Sequence, residues 1–297
     1  MGEVRIVPSF KETGLASVIT EVALAVLARR GNNFSPSGTA VVIAPNLAMT
    51  ARHVVEGHWR DFEDRPLVSG ESTGSFSLQC FQVLEQGATG AVWVATRLWL
   101  SPHTDIAYLG LQPASKTAQA HRWRGLRMNL LPPRIGERVS AFGYAASEVS
   151  FKQRGEIDEL LWKDSPSTSI GEVIEIHPAF RDIGSLKFPC FRVNARFDPG
   201  MSGGPVFNES GRLCGLICSN LPPAKPDGEH VSYCASLWPG MATVIDLKRQ
   251  GFEPGVQYPV LDLAKDGYLK ADGWERVGLI DRQGALIPTV GLCATKR

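Results

Sequence analysis

The segment FDPGMSGGPV at 197–206 sets one hydroxyl, that of Ser202, among three glycines just ahead of an apolar run. Gly200, Gly203 and Gly204 add little packing and cost more backbone entropy to order than residues with side chains. The stretch therefore reads as a tight bend that exposes the hydroxyl or brings backbone close to a ligand; a plain surface turn is the alternative. A serine hydroxyl is a poor nucleophile near neutral pH unless a base takes its proton. That base is usually a histidine held in the correct tautomer by a carboxylate. Among the six histidines, His53 stands in LAMTARHVVEG, directly after an apolar segment. His58, His103, His121, His177 and His230 have more ordinary polar, linker-like or loop surroundings. Partial burial beside an apolar element strengthens a carboxylate's hold on an imidazole. Asp105 in HTDIAYLGL, immediately ahead of Ile106, meets that condition, although an aspartate at a strand start is also an ordinary turn residue.

The elements that must position these residues are short. Apolar runs at 39–44, 76–84, 91–98, 105–111, 137–143, 171–176, 190–194, 213–218 and 231–237 are rich in Val, Ile, Phe or Trp and carry no sustained helical stripe. The run TEVALAVLA at 20–28 suits a helix by composition, but it alternates and precedes a glycine-containing turn, so a strand is preferred. Some ten short strands without regular strand–helix alternation favour barrels or sandwiches over a doubly wound sheet. The polar stretch 112–136, with its Pro132-Pro133 pair, reads as the seam between two halves, and 219–230 as an exposed loop. Beyond about residue 248 the pattern changes to turns between short ordered pieces, which predicts a C-terminal extension over 249–297 packed on the main body.

Composition narrows the function classes. Hydrophobic residues make up 43% and charged residues 21%, an ordinary globular balance. The 31 basic and 30 acidic residues leave a formal net charge of +1, so no general attraction to nucleic acid follows. No basic segment leads into the apolar run VALAVLA, which follows Glu21, and no stretch reaches the ~18 apolar residues of a membrane span. The six cysteines are thinly spread and form no paired metal-ligand pattern; with no leader visible, a reducing, cytoplasmic setting is expected. At strand period residues 214, 216 and 218 share a face, too far apart for a disulfide between Cys214 and Cys218, so buried free thiols are expected. No cofactor or metal is called for.

Taken together, TARHVV at 50–55, TDIAYLGL at 104–111 and GMSGGPVF at 200–207 resemble the histidine, aspartate and serine segments of trypsin/chymotrypsin-like serine peptidases, in that family's order. The likeness is strongest to bacterial-type, HtrA-like members, with GTAVVIAPN, GERVSAFGY and GRLCGLICS as supporting pieces over roughly residues 20–248. The resemblance implies an all-β chain of two packed six-stranded antiparallel β-barrels, the first over about 20–115 and the second over about 135–240, within a peptidase domain spanning 1–248. It implies a serine endopeptidase: His53, Asp105 and Ser202 as the triad, the N–H groups of Gly200 and Ser202 as oxyanion donors, and a protein or peptide as substrate. It also leaves room for a regulatory protein partner.

Two departures matter. Met201 stands where enzymes activated by N-terminal cleavage carry an aspartate, and a thioether cannot pair with a released amino terminus. Arg196, six residues before Ser202, corresponds by the resemblance to the base of the primary specificity pocket. A guanidinium there favours an acidic substrate side chain; in RVNAR it is equally a solvated strand-face residue. Two rival readings remain, a catalytically inactive double-barrel binding module and an α/β-hydrolase esterase. The latter expects its acid and histidine after the serine, whereas both precede Ser202 here.

Overall fold

The computed structural model describes residues 8–13, 18–30, 33–62, 65–72, 77–84, 89–123, 125–154, 157–221, 230–247 and 255–291. Most of the expected 219–230 loop, at 222–229, lies outside the described residues, as do 248–254 and 292–297.

Strand β1 (Ser9–Glu12) is followed by β2 (Ala23–Arg30), β3 (Asn33–Ala44) and β4 (Leu47–Ala51). Helix α1 (Arg52–Phe62) and strands β5 (Glu71–Ser72), β6 (Ser77–Leu84), β7 (Thr89–Leu100) and β8 (Ile106–Pro113) complete the first half. Strands β2, β3, β4, β8, β7 and β6 pair in that order and close as β6 returns to β2, giving a six-stranded antiparallel barrel. The alternation of the 20–28 run is what builds β2. Leu24, Val26 and Ala28 turn into the first barrel, while Ala23, Ala25 and Leu27 turn out against Phe142 and Tyr144. Helix α1 closes the barrel with Val55 and Trp59, one turn apart on a buried face.

The seam at 112–136 carries helix α2 (Lys116–Ala120), capped by the Ser115 hydroxyl accepting the Ala118 N–H at 3.2 Å, and strand β9 (Arg127–Asn129). Then come β10 (Arg138–Arg154), β11 (Ile157–His177), β12 (Cys190–Val193), β13 (Pro205–Asn208), β14 (Leu213–Leu221) and β15 (Val231–Ser236). Strands β13, β10, β11, β12, β15 and β14 close as β14 pairs with β13. The expected pair of six-stranded barrels is therefore the fold.

One expected face is corrected. Cys214 lies in the interior of the second barrel, whereas Leu216 and Cys218 join the cluster between the barrels. The β13–β14 register shifts across Cys214, and that bulge resets the alternation between Cys214 and Leu216; a second shift, in the β14–β15 ladder at Cys218, leaves Leu216 and Cys218 on one face. The thiols at 80, 190, 214, 218 and 234 are free and buried.

The segment after the second barrel adds β16 (Val244–Ile245), β17 (Tyr258–Pro259), helix α3 (Val260–Lys265), β18 (Lys270–Asp272) and a hairpin of β19 (Val277–Arg282) and β20 (Ala285–Val290). Leu261, Leu263, Leu269 and Val277 enter one cluster with Ile43, Met49 and Tyr108 of the first barrel and Leu213, Leu216 and Tyr233 of the second. Each such side chain contributes about 1.5–3 kcal/mol by burial, so this segment helps hold the barrels together. Among the described residues no helix is long and apolar enough to cross a membrane.

Candidate active site

Register brings His53 and Asp105 together. Strands β4 and β8 are antiparallel with Ala51 opposite Ile106, so the residues just past the end of β4 meet the residue just before β8. The Arg52 N–H donates to the Asp105 carbonyl at 3.2 Å. The Asp105 carboxylate then takes two bonds from His53, one from its backbone N–H at 3.0 Å and one from ring Nδ1 at 2.7 Å. Asp105 is largely buried and the His53 side chain is 46% exposed, so the ring is held at one end and open at the other. Burial pushes the His53 pKa down, but the hydrogen bond and charge of Asp105, helped by Glu56, outweigh it and leave the pKa above its ordinary value. Glu56 is itself engaged by Arg52, whose guanidinium also donates to the Ser101 carbonyl at 2.8 Å.

The Ser202 bend consists of two successive turns. The Met201 N–H returns to the Asp198 carbonyl at 3.1 Å around Pro199 and Gly200, with Gly200 at φ 92°. The Gly204 N–H returns to the Met201 carbonyl at 2.9 Å around Ser202 and Gly203, with Gly203 at φ 81°. Both turns need a residue at positive φ in third place, which glycine supplies without strain. Gly203 has a second reason to lack a side chain: a Cβ there would stand 2.2 Å from Thr50 Oγ1 and 2.3 Å from the Thr39 carbonyl.

A threonine pair fastens this bend to the first barrel. The Thr39 N–H donates to the Ser202 carbonyl at 2.8 Å, and the Thr39 hydroxyl donates to the Gly200 carbonyl at 2.9 Å. That hydroxyl also accepts the Tyr144 N–H at 2.9 Å from the second barrel. Thr50, three residues before His53, donates to the Thr39 carbonyl at 2.7 Å. Both threonines are fully buried. Sequence reasoning passed over Thr39, whose signal was a hydroxyl inside the otherwise apolar GTAVVIA.

The donors of the bend divide cleanly. Over 198–204, the N–H of Asp198 goes to Met201 Sδ at 3.3 Å, that of Gly203 to the Ile217 carbonyl at 2.8 Å, and those of Met201 and Gly204 close the turns. The N–H groups of Gly200 and Ser202 have no acceptor among the described residues. No hydrogen bond joins the Ser202 hydroxyl to the His53 ring among the described residues. Nucleophile–base bonds are often open before substrate binds. Met201 is fully buried in the second-barrel core.

Arg196 and Ser202 line a cavity of about 570 Å³ with Phe197, Ile217, Cys218 and His230. The guanidinium of Arg196 is spent on Asp198, to which it makes two bonds of 2.7 Å. Among the described residues no group of three or more His, Cys, Asp or Glu is disposed to hold a metal ion.

The family profile described as a trypsin-like peptidase domain matches residues 38–216, more than half of the chain, with His53, Asp105 and Ser202 inside the match. The chain belongs to that family. No curated protein matches it. Solved structures similar to this peptidase domain include the active form of the Rv3671c protease from M. tuberculosis, at 15% identity and TM-score 0.45, covering 75% of this chain and 78% of that one. Deg5 is similar at 15% identity and TM-score 0.45, with 75% and 87% covered. The inactive form of the Rv3671c protease is similar at 16% identity and TM-score 0.43, with 75% and 86% covered.

Proposed function

We infer that the protein is a serine endopeptidase in which Ser202 attacks a peptide carbonyl, His53 takes and returns the proton, and Asp105 fixes the imidazole. The observation that carries this reading is the two-point grip of Asp105 on His53, at 3.0 and 2.7 Å, on the rim to which Thr39 and Thr50 fasten the Ser202 bend. With Nδ1–H committed to the carboxylate, Nε2 is left as the acceptor a general base needs. The raised His53 pKa fits a ring that must accept a proton from an alcohol and later release it to an amine.

The unengaged N–H groups of Gly200 and Ser202 support their assignment as the pair that receives the oxyanion. Water then repeats the attack on the acyl-enzyme, with His53 again as base. The cavity beside Ser202 supports a small or apolar side chain on the substrate, because Phe197 and Ile217 line it and Asp198 already neutralises Arg196. The HtrA-like form of the motifs supports a protein or peptide as that substrate.

A fluorophosphonate probe tests the reading. Wild-type protein is expected to be labelled, and labelling is expected to vanish in Ser202→Ala. Folded wild type that stays unlabelled would leave the inactive binding module as the better account.

A further inference from the structure

We propose that strand β1 clamps the Gly200–Ser202 bend through Phe10, Arg196 and Asp198, making Phe10 and Arg196 positioning residues for the N–H donors of Gly200 and Ser202. The catalytic consequence rests on the peptidase reading; the clamp itself does not. Strand β12 covers β11 only from Val173 to His177, and β1 fills the neighbouring stretch, pairing Ser9 with Ile170 through Glu12 with Ser167. The Thr13 N–H extends that pairing to the Pro166 carbonyl at 2.7 Å. Phe10 packs against the second-barrel core, and the Arg196 guanidinium carbon stands 4.4 Å from its ring centroid.

A guanidinium offers a flat face and a forked edge at once. Here the face rests on Phe10 while Nε and Nη2 each donate to one Asp198 oxygen at 2.7 Å. Asp198 begins the turn that aims Gly200: its carbonyl receives the Met201 N–H at 3.1 Å, and its own N–H meets Met201 Sδ at 3.3 Å. Fixing the Asp198 side chain therefore fixes the first corner of the bend. The buried thioether of Met201 offers no charge for this task. Arg196 is thereby assigned to holding the bend rather than to reading an acidic substrate.

Two measurements on Phe10→Ala, Arg196→Ala, Phe10→Trp and the double alanine variant test the clamp. The first is amide hydrogen exchange of the 197–204 segment. It should quicken in both single alanine variants and stay near wild type in Phe10→Trp, which keeps an aromatic face. The second is the rate of fluorophosphonate labelling and of hydrolysis of peptide esters with acidic or apolar specificity residues. Phe10→Ala should slow both by roughly two- to five-fold, the scale of an exposed cation–π contact. Arg196→Ala should slow them roughly ten- to a hundred-fold, a fraction of the ~10²–10³ carried by one oxyanion donor. The double variant should be no slower than Arg196→Ala alone, and losses should be equal on acidic and apolar esters. Unchanged exchange at 197–204 in the alanine variants would overturn the clamp whether or not wild type is labelled. A loss confined to acidic esters would overturn it in favour of substrate recognition. Wild type that is folded but unlabelled overturns the peptidase reading alone, and the exchange comparison still decides the clamp. If Arg196→Ala fails to fold, Phe10→Ala against Phe10→Trp decides it by the same exchange measurement.

Discussion

Asp105→Asn is the perturbation that separates a catalytic carboxylate from a structural one. In the wild type the carboxylate accepts from both the His53 backbone N–H at 3.0 Å and Nδ1 at 2.7 Å. An amide in the same place still accepts the backbone bond through its oxygen, so α1 keeps its start. Its NH2 group, however, now faces Nδ1 and must donate. The ring proton is forced to Nε2, the atom that on the proposed peptidase reading takes the proton of Ser202, and the base is lost. The expected fall in turnover is about 10⁴-fold, the size of this effect in the well-studied triad. The titration moves too. Burial alone lowers the His53 pKa, and it is chiefly Asp105, by hydrogen bond and charge, that lifts it above 6.5. The rate needs a neutral ring, so wild-type kcat/KM should rise with pH around a midpoint above 6.5, and the His53 midpoint should drop in the variant. Stability runs the other way. A raised histidine pKa contributes stability that is fully present below the unfolded value of 6.5 and is lost as pH rises through the folded value; in Asp105→Asn that contribution goes. Rates on a peptide p-nitroanilide from about pH 5 to 9, with NMR titration of His53, supply the numbers. An Asn variant within about tenfold of wild type, or a wild-type midpoint at or below 6.5, would refute the reasoning.

Three further outcomes are expected. Gly203→Ala combines a positive φ of 81° with a Cβ 2.2 Å from Thr50 Oγ1 and 2.3 Å from the Thr39 carbonyl. Strain and overpacking together should cost about 2–5 kcal/mol in a denaturant melt, and a loss below about 1 kcal/mol would show that the barrels do not meet there. Burial pushes the Cys80 and Cys190 thiols up to about 12 and the Cys214, Cys218 and Cys234 thiols also upward, so all five should resist an aromatic disulfide reagent until the chain unfolds. Mass mapping that finds any of them modified in native protein would contradict that. Asp246 accepts from Trp99 Nε1 at 2.9 Å and pairs with Arg97, joining the first barrel to the segment that follows the second. Asp246→Ala should therefore lower stability by about 2 kcal/mol in the same melt, and no change would mean the contact is idle.

The strands were legible because they are short apolar runs rich in Val, Ile, Phe or Trp and bounded by turn residues; several, such as β4 and β8, are buried along nearly their whole length, so alternation was a guide chiefly in β2. It failed where a bulge intervenes. Nothing in RLCGLICSN announces that Cys214 is an extra residue in its ladder, and it left the face that Leu216 and Cys218 still share. Helix α1 was missed because its apolar content is small: Val54, Val55 and Trp59 amid charges give no long stripe, and Trp59 is buried by packing into the barrel it caps and beneath Arg65. Motifs suggested His53 and Asp105 as partners, but spacing along the chain could not bring them together, because their meeting depends on the β4–β8 register across 52 residues. Thr39 and Phe10 were invisible for a related reason. Their partners, the Ser202 bend and Arg196, lie in the other barrel or in the loop after β12, far along the chain, and single-sequence patterns report neighbours along the chain rather than across it.

The structure of a peptide boronic acid adduct tests the central claim most directly. Boron should be bonded to Ser202 Oγ, with His53 Nε2 within hydrogen-bond distance of that oxygen while Nδ1 keeps its bond to Asp105. One boronate oxygen should lie about 2.7–3.1 Å from the N–H nitrogens of both Gly200 and Ser202. An adduct at Ser202 with the imidazole turned away, or with its oxygen held by other donors, would contradict the account.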